Sequence, residues 1–177
     1  MENSEISDSV MSLSKTHTGA MSTEKRRQFS DDLKAAKCVA SVLSAPDSIA
    51  WLLNIRGSDV PNSPLALGYA IVHLSGDIDW FIDPRKIPPS TRNNLDSGIS
   101  ICPPDGFDDG LAALACAKGS VRVDPASAPE WIRLTLDAAD VSLSAGADLC
   151  VLPKARKNET EIAGTREAHI RDGAALT

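Results

Sequence analysis

DSIAWLLNIRGSDVPNSPLALGYAIVHL, residues Asp47 to Leu74, contains two apolar runs separated by Asn-Ile-Arg-Gly-Ser-Asp and two prolines. The first run, with Ile49, Trp51, Leu52 and Leu53, follows Pro46 and Asp47. Proline fits the first turn of a helix and a carboxylate there meets the positive end of the helix dipole, so a short helix is expected. The second run, Leu67 to Leu74, has strand length and leads through Ser75-Gly76-Asp77 into Ile78–Ile82. Two apolar runs around a glycine-bearing turn predict an antiparallel hairpin, closed off by Asp83 and Pro84.

Reading outward, Cys38–Leu43 (CVASVL) predicts a buried strand, and Phe29, Leu33 and Ala36 predict a helix opening near Ser22. Residues 1–21 are polar, serine-rich and aperiodic, which suggests a disordered or loosely attached arm. Downstream, GISIC (98–102), SVRVD (120–124) and VSLS (141–144) are candidate strands. Between them lie a helix carrying Leu111, Leu114 and Ala115 and another with Trp131, Leu134 and Ala138 on one side. One hairpin among alternating strands and helices predicts an α/β fold over residues 22–152, a mixed β-sheet flanked by helices. In KNETEIAG, Asn158 and Glu161 have capping-box spacing, and Ile162, Ala163, Arg166, His169 and Ile170 continue at helical spacing. No glycine cap or proline stops this helix before Thr177, so the reading frame is expected to have been cut mid-protein.

The formal net charge of −6 gives no electrostatic footprint for nucleic acid or an anionic membrane. No apolar run approaches the roughly 20 residues that span a bilayer. MENSEISDSVMSLSK, the first stretch, lacks the apolar core of a secretory signal, so the cytosol is the expected compartment. Cys38, Cys102, Cys116 and Cys150 form no C-x-x-C pair and read as reduced structural thiols. The histidines, His17, His73 and His169, form no ligand cluster; His73, in an apolar strand, reads as a hydrogen-bonded structural residue. His169 and Asp172, three apart on one helix, read as a solvated pair. Asp108 and Asp109 suit a helix start, and Asp77 and Asp79 are expected to flank a turn and point outward. No phosphate-binding loop, nucleophile elbow or dinucleotide fingerprint occurs. Motif chemistry alone places no catalytic residue and no metal ligand in this sequence.

What remains is Arg56-Gly57-Ser58-Asp59. On a structural reading Gly57 makes a tight turn, Ser58 or Asp59 closes it, Arg56 pairs with a nearby carboxylate, and Pro61 and Pro64 stiffen the entry to the strand. On a functional reading the four residues meet a ligand, another domain or another subunit, the Arg56 fork suiting a carboxylate or carbonyl partner.

SAPDSIAWLLNIRGSDVPNSPLALGYAIVHL with WFIDPRKI, and then LPKARKNETEIAGTREAHIRDGAAL, closely resemble cytosolic-type aminopeptidase P, the Xaa-Pro aminopeptidase of the M24 pita-bread metallopeptidases. The likeness runs in order from about Ser22 to the end. It implies the middle, creatinase-N-terminal-like domain of a three-part enzyme, followed by the first helix of the catalytic domain. By the same resemblance, the parent removes the N-terminal residue from peptides with proline second, using two divalent metal ions, manganese or zinc. Those ligands belong to the catalytic domain and have no counterpart here, so this chain is expected to bind no cofactor and to be inactive alone. Its expected partners are that catalytic domain and, within the parent, the peptide, whose approach Arg56, Gly57, Ser58 and Asp59 are expected to border. Self-association through an exposed terminal helix is a further expectation, and a stand-alone peptide- or protein-binding module is the alternative role.

Overall fold

The computed structural model of the chain describes Ser12–Leu13 and residues 19–176. The arm expected over residues 1–21 falls mostly outside these. Within it, Ser12–Leu13 is a short strand, β1, and Gly19–Ala35 is the first helix, α1, opening three residues before the expected Ser22. Next come β2 (Cys38–Leu43), α2 (Pro46–Leu53), β3 (Ile55–Arg56), β4 (Tyr69–His73) and β5 (Ile78–Phe81). They are followed by α3 (Pro89–Arg92), β6 (Ile99–Cys102), α4 (Phe107–Ala113), β7 (Ser120–Val123) and α5 (Glu130–Ala138). The remainder is β8 (Leu143–Ala145), α6 (Val151–Ala155) and α7 (Glu159–Leu176).

Among the described residues the main sheet has the order β6-β5-β4-β2-β7-β8. The central β2–β4 and β4–β5 pairs are antiparallel, and the flanking β5–β6, β2–β7 and β7–β8 pairs are parallel. This is the mixed sheet between helices that the sequence implies. The hairpin forms as expected, with His73 N donating to Asp77 O (2.9 Å) and Gly76 in the left-handed region at φ +89°.

Alternation along each strand divides the apolar side chains between two layers. One face of the sheet packs Val72, Ile78 and Trp80 against Phe29 and Leu33 of α1 and Ile49, Leu52 and Leu53 of α2. The other sets Val42, Ile71 and Val121 beneath Phe107 and Leu111 of α4 and Ile132 and Leu136 of α5. In β2 a register shift between Cys38 and Ala40 puts these two residues, which regular alternation would leave on one face, in different layers, Cys38 on the α1 side and Ala40 on the α4 side.

The side of α5 that carries Trp131 and Leu134 is not the one the core buries. Trp131 is 38% exposed and Leu134 53%, while Ile132 and Leu136 are fully buried. Both stripes are apolar at helical spacing, so periodicity alone does not choose between them. The valines of the sheet accept Ile132 and Leu136, and Trp131 finds aromatic partners at the rim instead. Its ring stands edge-on to Tyr69 and Phe107, with centroids 5.9 and 5.7 Å away.

Candidate functional site

The loop that follows α2 is built on backbone pairing. Asn54 ends the helix in the left-handed conformation (φ +57°), a geometry asparagine tolerates better than most residues. Ile55 and Arg56 then pair antiparallel with Leu13 and Ser12, a contact the polar opening sequence did not announce. Beyond it Gly57 N donates to Pro64 O (3.2 Å), Asp59 N to Leu65 O (3.0 Å) and Ser63 N to Val60 O (3.1 Å). The chain therefore doubles back on itself, with Asn62 at its tip in the left-handed region (φ +61°).

Gly57 is required by a close approach, since its backbone is not left-handed. A Cβ there would stand 2.7 Å from both the Cβ and the backbone N of Ala66, the returning arm of the loop. Asp59 closes the structure. Its Oδ2 accepts from Leu67 N (2.7 Å) and from Lys86 Nζ (2.8 Å), and its side chain is largely shielded from water. The loop is thereby tied to the approach to β4 and to the turn after β5.

Arg56 behaves differently from the expected ion pair. Its Nη1 donates to Ile55 O (2.8 Å), and no carboxylate among the described residues pairs with it. The carboxylate nearest in sequence, Asp59, is turned toward Lys86 and Leu67. Arg56 is half-buried and Ser58 is exposed, so these two are the members of the quartet that present side chains outward.

A neighbouring residue escaped the sequence reading. Lys25 of α1 donates from Nζ to Trp51 O (2.6 Å) and stands 4.1 Å from the centroid of the Trp51 ring. Burial pulls its pKa down to about 8, against the attraction of Glu161 and with the help of Arg56. In sequence Lys25 belongs to an ordinary charged run, EKRR, and no spacing singles it out.

The other candidates settle into structural roles. His73 Nε2 lies 2.7 Å from Asp79 Oδ2, the hydrogen-bonded histidine that was expected. Asp79 is thus paired across the hairpin rather than simply pointing into solvent. Burial and the Asp79 charge push the Cys102 thiol pKa up, and burial does the same more strongly to Cys150. The capping box forms in both directions: Glu161 N donates to Asn158 Oδ1 (2.8 Å) and Asn158 N to Glu161 Oε2 (2.9 Å). His169 and Asp172 are exposed along α7. An open groove of about 960 Å³ runs between α1 and the 147–156 segment, away from residues 56–59. Among the described residues no three His, Cys, Asp or Glu side chains converge to hold a metal ion, and no helix is long and apolar enough to cross a membrane.

Residues 2–161 match the family model of the creatinase/prolidase N-terminal domain. Xaa-Pro aminopeptidase 1 of Dictyostelium discoideum is 35% identical over 169 residues, which are 96% of this chain and 26% of that protein. A probable Xaa-Pro aminopeptidase P of Arthroderma gypseum is 36% identical over 161 residues, 86% of this chain and 25% of that one. Among solved structures, the X-prolyl aminopeptidase of Caenorhabditis elegans, described as a cytosolic enzyme with a di-nuclear active site, superposes with a TM-score of 0.82. It is 30% identical, and the match covers 95% of this chain and 28% of that one. The chain thus spans about a quarter of the length of these relatives. The donor sets among its described residues do not fit a di-nuclear metal centre.

Proposed function

The chain belongs to the creatinase/prolidase N-terminal domain family, and from that premise we propose that it is a non-catalytic domain of an Xaa-Pro aminopeptidase. One observation carries this reading: identity at about the 35% level runs along almost the whole chain yet accounts for only a quarter of the relative's length. The hydrolytic chemistry then belongs to the other three-quarters. There a pair of divalent metal ions, manganese or zinc, would activate water against the bond before proline. The partners of the chain are that catalytic portion and, through it, a peptide with proline second. The compartment is the cytosol.

In this reading residues 22–152 are the body of the domain, and residues 153–177 lead into the catalytic portion. Arg56, Gly57, Ser58 and Asp59 border the approach of the peptide, with Arg56 and Ser58 as the side chains available to it and Gly57 and Asp59 holding the loop in shape. Exchange of the matching quarter of the Dictyostelium enzyme for this chain tests the proposal. A fusion that hydrolyses Xaa-Pro peptides, beside an isolated chain that does not, supports it. An inactive fusion, together with tight prolyl-peptide binding by the isolated chain, would favour the stand-alone binding module instead. Arg56→Ala in the active fusion tests the loop: the expected result is a raised KM with unchanged thermal stability, and unchanged kinetics would remove Arg56 from the peptide path.

A further inference from the structure

Aromatic side chains are scarce in this chain, with three tryptophans, one tyrosine and three phenylalanines, yet four of them meet at one place. Tyr69 opens β4, Phe81 closes β5, Phe107 opens α4 after β6, and Trp131 lies in the first turn of α5 after β7. These positions fall at one end of the sheet, because β2, β5, β6, β7 and β8 run in one direction and β4 runs back. Open α/β sheets take their ligands outside the carboxyl ends of the parallel strands, which is this end. Every proline except Pro153 lies in a loop or helix start at the same end, so the rim is stiff before anything binds to it. Phe81 and Phe107 are buried and form the base, with centroids 5.0 Å apart. Half-buried Tyr69 stacks on Phe107 at 4.6 Å, and exposed Trp131 stands edge-on to both. Leu134, one turn along α5, extends the exposed apolar strip. On the other side of Pro129 lies a cavity of about 100 Å³ lined by Val123, Pro125, Pro129 and Leu143.

The chemistry of the strip selects its occupant. Among the described residues neither the Tyr69 hydroxyl nor the Trp131 indole N–H bonds to another part of the chain, so both are free to donate. Asp105, Asp108 and Asp109, exposed on either side of Phe107, form no ion pair among the described residues. A helix has most of its carbonyls engaged, whereas a polyproline II segment leaves them all free and offers proline rings to aromatic faces. A second copy of the chain would bring the same donors and a further net charge of −6 toward these carboxylates. We propose that this strip is a docking surface for an extended, proline-containing segment of another protein that carries a basic residue. Its proline rings pack on Tyr69 and Trp131, its carbonyls accept from the two free donors, and its lysine or arginine meets the carboxylates around Phe107. The cavity beside Pro129 takes one further small apolar side chain. The surface belongs to the α4–α5 layer, across the sheet from α1 and α2, and depends neither on the Arg56 loop nor on the parent's catalysis.

The test is fluorescence anisotropy of a labelled Pro-x-x-Pro peptide carrying an arginine, titrated with the full chain. Two controls accompany it: the same peptide with glutamate for the arginine, and a proline-free peptide that keeps the arginine. The first peptide is expected to bind with an affinity that falls as salt rises, and both controls to bind several-fold more weakly. Trp131→Ala is expected to weaken binding about tenfold or more, and Tyr69→Phe about threefold. Asp108→Asn combined with Asp109→Asn should cost about threefold and flatten the salt dependence. Ile170→Ala, on the exposed side of α7, should change nothing. Absence of binding, equal binding of the proline-free peptide, or full affinity in Trp131→Ala overturns the proposal. Self-association that Trp131→Ala abolishes would overturn it too, by giving the strip to a second copy. Should Trp131→Ala fail to fold, Tyr69→Phe and the aspartate pair, which alter only polar groups, decide the matter.

Discussion

Residues 47–82 and 159–176 both carry the family likeness, yet they place their apolar side chains in opposite ways. In the first stretch Leu52, Val72, Ile78 and Trp80 are completely buried and supply much of one core layer. In the second, Ile162 is 39% exposed and Ile170 73%, and the helix holds itself by its own cap and by surface pairs such as Arg171–Glu167. A shared likeness therefore conceals unequal energetics. The first stretch builds the core of this chain; the second leaves its large apolar side chains on the surface.

Substitutions that treat the two stretches alike should expose the contrast, most plainly in the core. Trp80→Ala is expected to cost about 3–5 kcal/mol in a denaturant titration, whereas Ile170→Ala changes stability by no more than about 0.5 kcal/mol. Comparable losses at the two positions would mean that α7 is packed as deeply as the sheet. Carboxylates come next. Asp59→Ala strips the partners from Lys86 and from Leu67 N and is expected to destabilise by about 1–3 kcal/mol. Glu167→Ala removes one solvated pair, and its thermal midpoint should match that of wild type.

Glycines sharpen the comparison because their expected signs differ. Gly57→Ala drives a methyl into Ala66 and should destabilise by about 1–3 kcal/mol. Gly164 lies inside α7 with nothing within 4 Å of the position a Cβ would take. Gly164→Ala should therefore stabilise α7 by about 0.5–1 kcal/mol, read as slower amide exchange along the helix.

The smallest effect concerns acid. Asp96 joins α1 to the β5–β6 connection, accepting from Thr23 Oγ1, Gly98 N and Arg26, and these bonds, Thr23 first, hold its pKa below the usual carboxylate value despite partial burial. A depressed folded-state value contributes stability above the unfolded-state pKa of about 4, and that contribution is lost as pH falls through the folded value. Asp96→Asn should accordingly lose stability at neutral pH and show a shallower acid decline than wild type. Parallel curves for the two proteins would remove Asp96 from the acid response.

Much of this architecture could be read from local pattern. Cys38–Leu43, the hairpin around Gly76 and the Asn158–Glu161 cap each depend on neighbours a few residues away, and each formed as the spacing implied. Features set by distant partners were not legible. Two apolar stripes on α5 fit the helical period equally, and the valines of the sheet and the rings of Tyr69 and Phe107 chose between them. Pairing of Ser12–Leu13 with Ile55–Arg56 has no signature in a polar segment. At the loop, the need for Gly57 and the closing role of Asp59 were visible in outline. The approach of Ala66, the reach of Lys86 and the cation supplied by Lys25 came from parts of the chain that only the fold brings together.

The most direct test of the account measures metal content and turnover on the same purified sample of this chain, supplied with manganese and with zinc. It predicts no stoichiometric metal and no cleavage of an Xaa-Pro peptide. Two metal ions per chain accompanied by release of the N-terminal residue would contradict it.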